Sequence, residues 1–397
     1  MKYRILRMVN NFFPDIGGVE NRILRTSLIL EKKHIINISA TRDNNLYNNK
    51  YTVGKNIKVN RYKTYLKMGP FHITPVRLIK FLRIKKEYDL IHLQGIYRFH
   101  VFYTPIFKRK KIPIVLTTHG MALNIYDLSI HKRILRFLFD KVVLKMVLRQ
   151  IDHIFVVSLV QKKFLQKMGI DSNKISISLP GVNDFFIMNN VGSAFRERYN
   201  IPKTDKVIGF VGGLTKNKNI QDLLNTYVQI KQEIPYIKLL LIGNLNTYVQ
   251  KIINELKEDY RKDIVTTGLL TGKELTDAYY SMDVFVHPSL NEGFSTVLLE
   301  SSFCGTPFVA YSIPSMVYLN KVVGNGVLAE LRVSSLIEKT KKILTAPINR
   351  RKIRLNMLNH REYWSWDRVA NQLDEIYLKL MEFYDNKKIF NNKVSSS

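Results

Sequence analysis

The sequence predicts an α/β fold built from two doubly wound, Rossmann-like domains. Length is the first reason: 397 residues exceed one ordinary core and suit two. Alternation is the second. Short apolar, β-rich runs are separated by stretches with apolar residues at helical spacing, the pattern of parallel strands joined by crossover helices. Third, the plan starts again past the middle of the chain, each time with a strand that leads into a glycine pair, Gly17-Gly18 and then Gly212-Gly213. A hydrophobic fraction of 46% supplies apolar side chains for two cores.

In the first half, residues 3–9 (YRILRMV) read as a strand and 21–32 as the helix that follows. Runs at 35–40 (IINISA), 90–94 (LIHLQ), 112–118 (IPIVLTT) and 152–158 (DHIFVVS) read as further buried strands. Between the last two, residues 131–150 mix cations with leucine, phenylalanine and valine as a long basic helix. In the second half, 206–214 (KVIGFVGGL) is a strand running into its glycine loop, and 219–231 is a helix. Strands follow at 237–244 (IKLLLIGN), 263–268 (DIVTTG), 283–289 (DVFVHPS) and 306–311 (TPFVAY), separated by helical stretches. The boundary between halves falls between Gly181 and Thr204, and the polar end from about residue 386 is expected to fray.

Composition narrows the function. The single cysteine, Cys304, excludes an intrachain disulfide and fits a reducing cytoplasm. The first forty residues read as strand, glycine loop and helix rather than as a signal peptide, and no apolar run is long enough to span a bilayer. The net charge is +30 and uneven: residues 1–200 carry 36 Lys+Arg against 12 Asp+Glu, the remainder 26 against 20. A field this positive implies an anionic partner, whether membrane lipid, a phosphorylated substrate or nucleic acid. No nucleic-acid reading motif accompanies it, and the cations sit among apolar helix faces rather than beside a stacking platform. Residues 76–86 (VRLIKFLRIKK) and 131–150 suit docking on an anionic bilayer, or equally an amphipathic core helix with a solvated basic face.

In open α/β sheets, ligands bind beyond the carboxyl ends of the strands, so the strand-end loops, facing a cleft between domains, are where chemistry is expected. Gly17 and Gly18 allow close backbone approach before a helix N-terminus, or simply make a strand–helix turn. His119 closes the strand IVLTTH at the cleft edge, as a hydrogen-bond donor to sugar or phosphate or as a structural histidine. Lys216 and Lys218, in GGLTKNKNI, sit where cations would neutralise a diphosphate leaving group, or are two surface lysines of a lysine-rich chain; this is no Walker loop. Glu292 lies in the loop PSLNEGF, and Glu300 lies on the second turn of the helix that follows, with Ser295 as its cap. These acids are either ordinary helix charges or a pair facing a hydroxyl-rich ligand. The apolar and small neighbours of Glu300 favour the second reading, because a buried carboxylate needs a partner.

At this point the chain resembles the retaining glycosyltransferases of family 4, of the GT-B fold (glycosyl transferases group 1). The resemblance runs through nearly the whole length in order: PDIGGVE, TTHG, DHIFVVS with ISLPGVNDFF, GFVGGLTKNKNI, EGFSTVLLE followed by CGTPFVA, and WSWDRVANQLDEIY. It implies an acceptor-binding domain over 1–190 and a nucleotide-sugar-binding domain over 191–363. Residues 364–397 would form a helix returning to the first domain plus a frayed tail. It implies that Glu292 contacts the donor sugar, Glu300 holds the nucleotide ribose, Lys218 neutralises the departing diphosphate and His119 contacts the sugar near the reacting carbon. Gly17, Gly18, Gly212, Gly213, Lys216, Gly293, Phe294 and Ser295 would complete the donor site. No cofactor and no metal are expected.

The implied activity is transfer from a nucleotide sugar, UDP-linked, to a lipid-linked glycan in cell-surface polysaccharide synthesis, by a cytoplasmic protein held peripherally on an anionic membrane surface, with no nucleic-acid partner. A nucleotide-sugar epimerase of related fold is the rival enzyme, and a basic nucleic-acid-binding protein the rival from another class. The chain departs from the family where Gly212-Gly213-Leu214 replaces a frequent Gly-Arg-Leu. Lys216 would substitute as a point charge without bidentate geometry.

Overall fold

The computed structural model describes residues 2–15, 17–42, 50–68, 71–83, 87–120, 139–187, 193–346 and 348–394. The chain divides into two compact units, Met1–Gly181 with Ser365–Ser397, and Val182–Trp364. The division precedes the expected residue 190, because the short helix Asp184–Ile187 packs on helices Gly272–Ser281 and Thr296–Phe303 of the second unit.

The first unit contains β1 (Arg4–Met8), β2 (Ile35–Arg42), β3 (Lys50–Val53), β4 (Ile57–Lys63), the small hairpin β5 (Leu66–Met68) and β6 (Phe71–Ile73), β7 (Leu90–Gln94), β8 (Ile114–Thr117), β9 (His153–Val156) and β10 (Ile175–Ile177). Its main sheet runs β10-β9-β8-β7-β1-β2-β4-β3, parallel except for β3 against β4. Both faces are covered, as a parallel sheet requires. Successive residues of β1 show this: Leu6 and Met8 enter one apolar cluster, Ile5 and Val9 another. The C-terminal helix Trp366–Val394 completes the second layer with Ala370, Leu373, Tyr377 and Met381, a helical stripe against Ile5, Leu90, Val115 and Phe155. Polar ties secure it: Asp374 meets His34 at 2.6 Å and Lys33 at 2.7 Å, and Gln372 donates to the Ile177 carbonyl at 2.8 Å. This helix continues to Val394, past residue 386 where the polar end begins.

The second unit contains β11 (Lys206–Val211), β12 (Ile237–Ile242), β13 (Ile264–Gly268), β14 (Val284–His287), β15 (Phe308–Tyr311) and β16 (Gly326–Ala329). They form one parallel sheet in the order β13-β12-β11-β14-β15-β16. This is the doubly wound order with its reversal between the first and fourth strands of the unit. The central strands are buried apart from Lys206 and Lys238, which is why they read as nearly continuous apolar runs.

The strands absent from the sequence reading are β3, β4, the β5–β6 hairpin, β10 and β16. Most are short or lie at sheet edges. In β4 only Ile57, Val59 and Arg61 are buried, and β16 is only half-buried until Ala329. Such strands carry no continuous apolar run. Of the basic helix expected over 131–150, residues 131–138 lie outside the described residues. The remainder forms a π-helical stretch, Asp140–Leu144, followed by an α-helix, Lys145–Arg149.

Candidate active site

The second unit's sheet reverses between β11 and β14, and the loops leaving those two strands supply the charged residues singled out above. Beyond β11 the chain turns through Gly212 at φ +144°, a value side chains rarely tolerate. Gly243, at the end of β12, is required for a related reason: a Cβ there would overlap the Gly212 carbonyl oxygen. The tight turn leads into one 3₁₀ turn, Lys216–Lys218, then Asn219 at φ +54°, then helix Ile220–Glu233. The loop after β14 is fastened to this turn by its backbone. Leu290 N–H donates to the Asn217 carbonyl at 3.2 Å, and the Ser289 hydroxyl donates to the same oxygen at 3.3 Å.

That fastening brings Glu292 onto Lys218. The ammonium pairs with Glu292 Oε1, and His287 Nε2, at the end of β14, reaches the same oxygen at 2.9 Å. Burial pushes the Glu292 carboxyl up, but the His287 hydrogen bond and the Lys218 charge outweigh burial and hold it down at about 2. Glu292 is therefore ionised at every physiological pH. Ser295 occupies the N-cap position of helix Thr296–Phe303, yet its hydroxyl caps no helix N–H. It lies 3.3 Å from His287 Nε2 instead, which corrects the expected capping role: with ψ 99° at Ser295, its oxygen faces the histidine.

Glu300 lies on the second turn of that helix, as its spacing predicts, and is only partly exposed. The partner its burial demands is Tyr279, whose hydroxyl donates to Oε2 at 3.0 Å. One neutral donor offsets little of the desolvation, so burial pushes the Glu300 carboxyl up to about 7. The two acids of the motif thus differ in kind. One is a permanent anion between a cation and an imidazole; the other is poised to titrate near neutrality. Lys216 does not join them. Its ammonium lies 5.3 Å over the Tyr248 ring, a cation–π contact. A Cβ at Gly213 would make only an ordinary contact with the Thr215 methyl, and Phe294 packs its ring 6.2 Å from that of Trp364.

The first unit carries the remaining residues around its own reversal, between β1 and β7. Gly17 is the N-cap of helix Gly18–Leu30, and a Cβ there would meet the Glu20 carboxylate folded back over the helix start. His119 has φ +56° and donates through Nε2 to Gln94 Oε1 at 2.7 Å. Because that amide oxygen only accepts, Nε2 carries the proton. Burial, with Arg22, Arg7 and Arg98 nearby, drives the His119 pKa well below its ordinary value, so the ring is neutral. Three residues escaped the sequence reading: His287, Tyr279 and Gln94. His287 and Gln94 had a legible signal, a polar side chain ending a buried parallel strand. Tyr279 had none.

Comparison with known proteins gives this geometry a family. Residues 193–359 match Glycosyl transferases group 1, and residues 16–184 match Glycosyltransferase Family 4. The chain belongs to this glycosyltransferase family. Among relatives, the glycosyltransferase is 24% identical over 350 residues to the alpha-monoglucosyldiacylglycerol synthase of Streptococcus pneumoniae, covering 83% of this chain and 75% of that protein. Its fold is similar to that of sucrose-phosphate synthase from Thermosynechococcus elongatus, with a TM-score of 0.75 and 18% identity, over 96% of this chain and 100% of that one. It is also similar to the Anabaena protein HepE, solved with UDP and glucose, with a TM-score of 0.73 and 16% identity, over 94% and 99% of the two chains. These neighbours establish the GT-B fold for the glycosyltransferase.

Proposed function

We propose that the protein transfers a sugar, with retention of anomeric configuration, from a UDP-sugar to a lipid-linked glycan acceptor in cell-surface polysaccharide synthesis. The observation that carries this reading is the pinned, ionised Glu292 beside Lys218 at the second unit's switch point, with Glu300 on the next helix. In the reaction, Lys218 turns to the diphosphate and stabilises the negative charge that develops as the glycosidic bond breaks. Glu292 stays anionic beside the sugar, where positive oxocarbenium character builds. Glu300 accepts the ribose diol. His119, neutral and with its Nε2 proton directed at Gln94, offers Nδ1 as an acceptor for a sugar hydroxyl. The leaving diphosphate and the incoming hydroxyl share one face, which gives retention. Cationic side chains and backbone N–H groups meet the diphosphate, and no metal takes part.

Support for the donor comes from HepE, solved with UDP and glucose. Support for a lipid acceptor comes from the name of the S. pneumoniae relative, which describes a glucosylated diacylglycerol. A third support is the surface of helix Pro75–Arg83, where Val76, Ile79 and Leu82 are 50%, 47% and 54% exposed beside the exposed Lys80. No described helix is long and apolar enough to cross a membrane, so this amphipathic face docks on an anionic leaflet rather than spanning it.

The test is turnover of a panel of UDP-, GDP- and ADP-sugars with and without membrane extract, repeated with EDTA. Turnover of a UDP-sugar, raised by the extract, indifferent to EDTA and lost in Glu292→Gln and Glu300→Ala, is the expected result. No turnover of any donor with acceptor present, and no nucleotide binding, overturns the reading. Sedimentation with vesicles rich in phosphatidylglycerol, but not with phosphatidylcholine vesicles, is expected for the wild type and is reduced in Ile79→Asp.

A further inference from the structure

The Glu292 carboxylate has two holders, and only one is free to stay when a donor binds. Lys218 and His287 both bond Oε1. A nucleoside diphosphate sugar brings negative charge to the Lys218 turn, and an ammonium is a point charge: what it gives the diphosphate it withdraws from Glu292. His287 stands outside that competition. Its side chain is fully buried at the end of β14. Its ring stacks near Phe210, at 6.0 Å and 13°, and Phe285, at 5.9 Å and 28°. Since an ionised carboxylate only accepts, Nε2 must carry the proton. Nδ1 is buried with no hydrogen-bond partner among the described residues. Protonating it would place an unpaired donor and a charge in an apolar seat, so the ring stays neutral and its single N–H stays aimed at Glu292.

We propose that His287 is a positioning residue for sugar transfer: it holds the Glu292 carboxylate in its working orientation once Lys218 turns to the donor diphosphate. The inference rests on reading Glu292 as the group that faces the donor sugar. His287 touches no substrate; it acts through Glu292, and its loss is felt after the donor is bound.

Four full-length variants test it, each assayed with whichever UDP-sugar turns over and for UDP binding. His287→Phe keeps the ring between Phe210 and Phe285 but removes the N–H. His287→Gln places an amide N–H near the position of Nε2, and His287→Asn places it too short to reach Glu292. Glu292→Gln is the reference. A hydrogen bond to a charged group supports a loss of about 10- to 100-fold in kcat for His287→Phe and His287→Asn, with KM and UDP binding little changed and most activity kept by His287→Gln. A purely structural role gives the reverse rank, with Phe near wild type and Gln impaired, and overturns the proposal. If His287→Phe does not fold, the Gln and Asn variants still decide, because equal activities in the two overturn it. Wild-type kcat in Glu292→Gln would sink the underlying reading. Loss in Glu292→Gln together with wild-type kcat in His287→Phe and His287→Asn would sink only the role of His287.

Discussion

At the second unit's switch point, a carboxylate is ionised and pinned between a lysine and an imidazole. At the first unit's switch point, a histidine is neutral, bonded to an amide and crowded by guanidinium groups. The two places are equivalent in their sheets, beyond the strands where winding reverses. Their electrostatics are not. The second pairs opposite charges, Lys218 with Glu292, beside a buried imidazole. The first crowds its histidine with Arg22, Arg7 and Arg98, and Glu20 faces Arg98 there. The same topology thus carries paired opposite charges in one unit and a neutral, hydrogen-bonded histidine among guanidinium groups in the other, because the strand-end loops and flanking helices supply different side chains.

The largest expected effect breaks the charged set itself. Lys218→Ala and Glu292→Gln should each lower kcat by about 10²- to 10³-fold, the size expected for removing a preorganised electrostatic stabiliser. In donor affinity, which is set against the free enzyme where the two residues pair, the double variant should depart from the product of the single effects. Multiplying effects, measured in a double-mutant cycle on donor Kd, would show that the pair acts independently and remove the contrast between the units.

A smaller effect follows from Glu300. Glu300→Ala should weaken nucleotide binding by about 10- to 100-fold, through the loss of charge-assisted hydrogen bonds to the ribose. The wild type should also show a pH dependence of donor affinity. With a carboxyl pushed up to about 7, Glu300 is mainly protonated at pH 6 and ionised at pH 8. Only the ionised form accepts both ribose hydroxyls, so Kd should fall as pH rises through this range, by roughly tenfold per unit on the acid side. Titration calorimetry in two buffers of different ionisation enthalpy would register the proton released. A Glu300→Gln variant should be flat with pH, and a sloping one would point to another group.

In the first unit, Gln94→Leu removes the bond that fixes the His119 tautomer and should lower kcat by about tenfold, with nucleotide binding unchanged. The smallest effect is assigned to Lys216→Ala. Its ammonium lies over Tyr248 rather than in the charged set, so KM should move by no more than about threefold, the scale of an exposed cation–π contact. A loss as large as that of Lys218→Ala would mean that Lys216 swings in to take the place of the arginine missing from the glycine loop.

The sequence by itself determined the framework. Strands such as β7, β12 and β14 are buried on both faces, and a strand so buried is mostly apolar, which makes it visible as a run. It also located the strand-end loops, because glycines and polar residues follow such runs, and it placed Glu300 on its helix turn through spacing alone. Only the tertiary structure decided what those residues are. Lys218 and Glu292 meet across 74 positions of sequence, and Tyr279 reaches Glu300 across 21. A carboxyl at about 2 and another at about 7, eight positions apart in one motif, are set by burial and by neighbours brought in through space. No pattern along the chain encodes those neighbours, and so the division of labour between the two glutamates belongs to the fold.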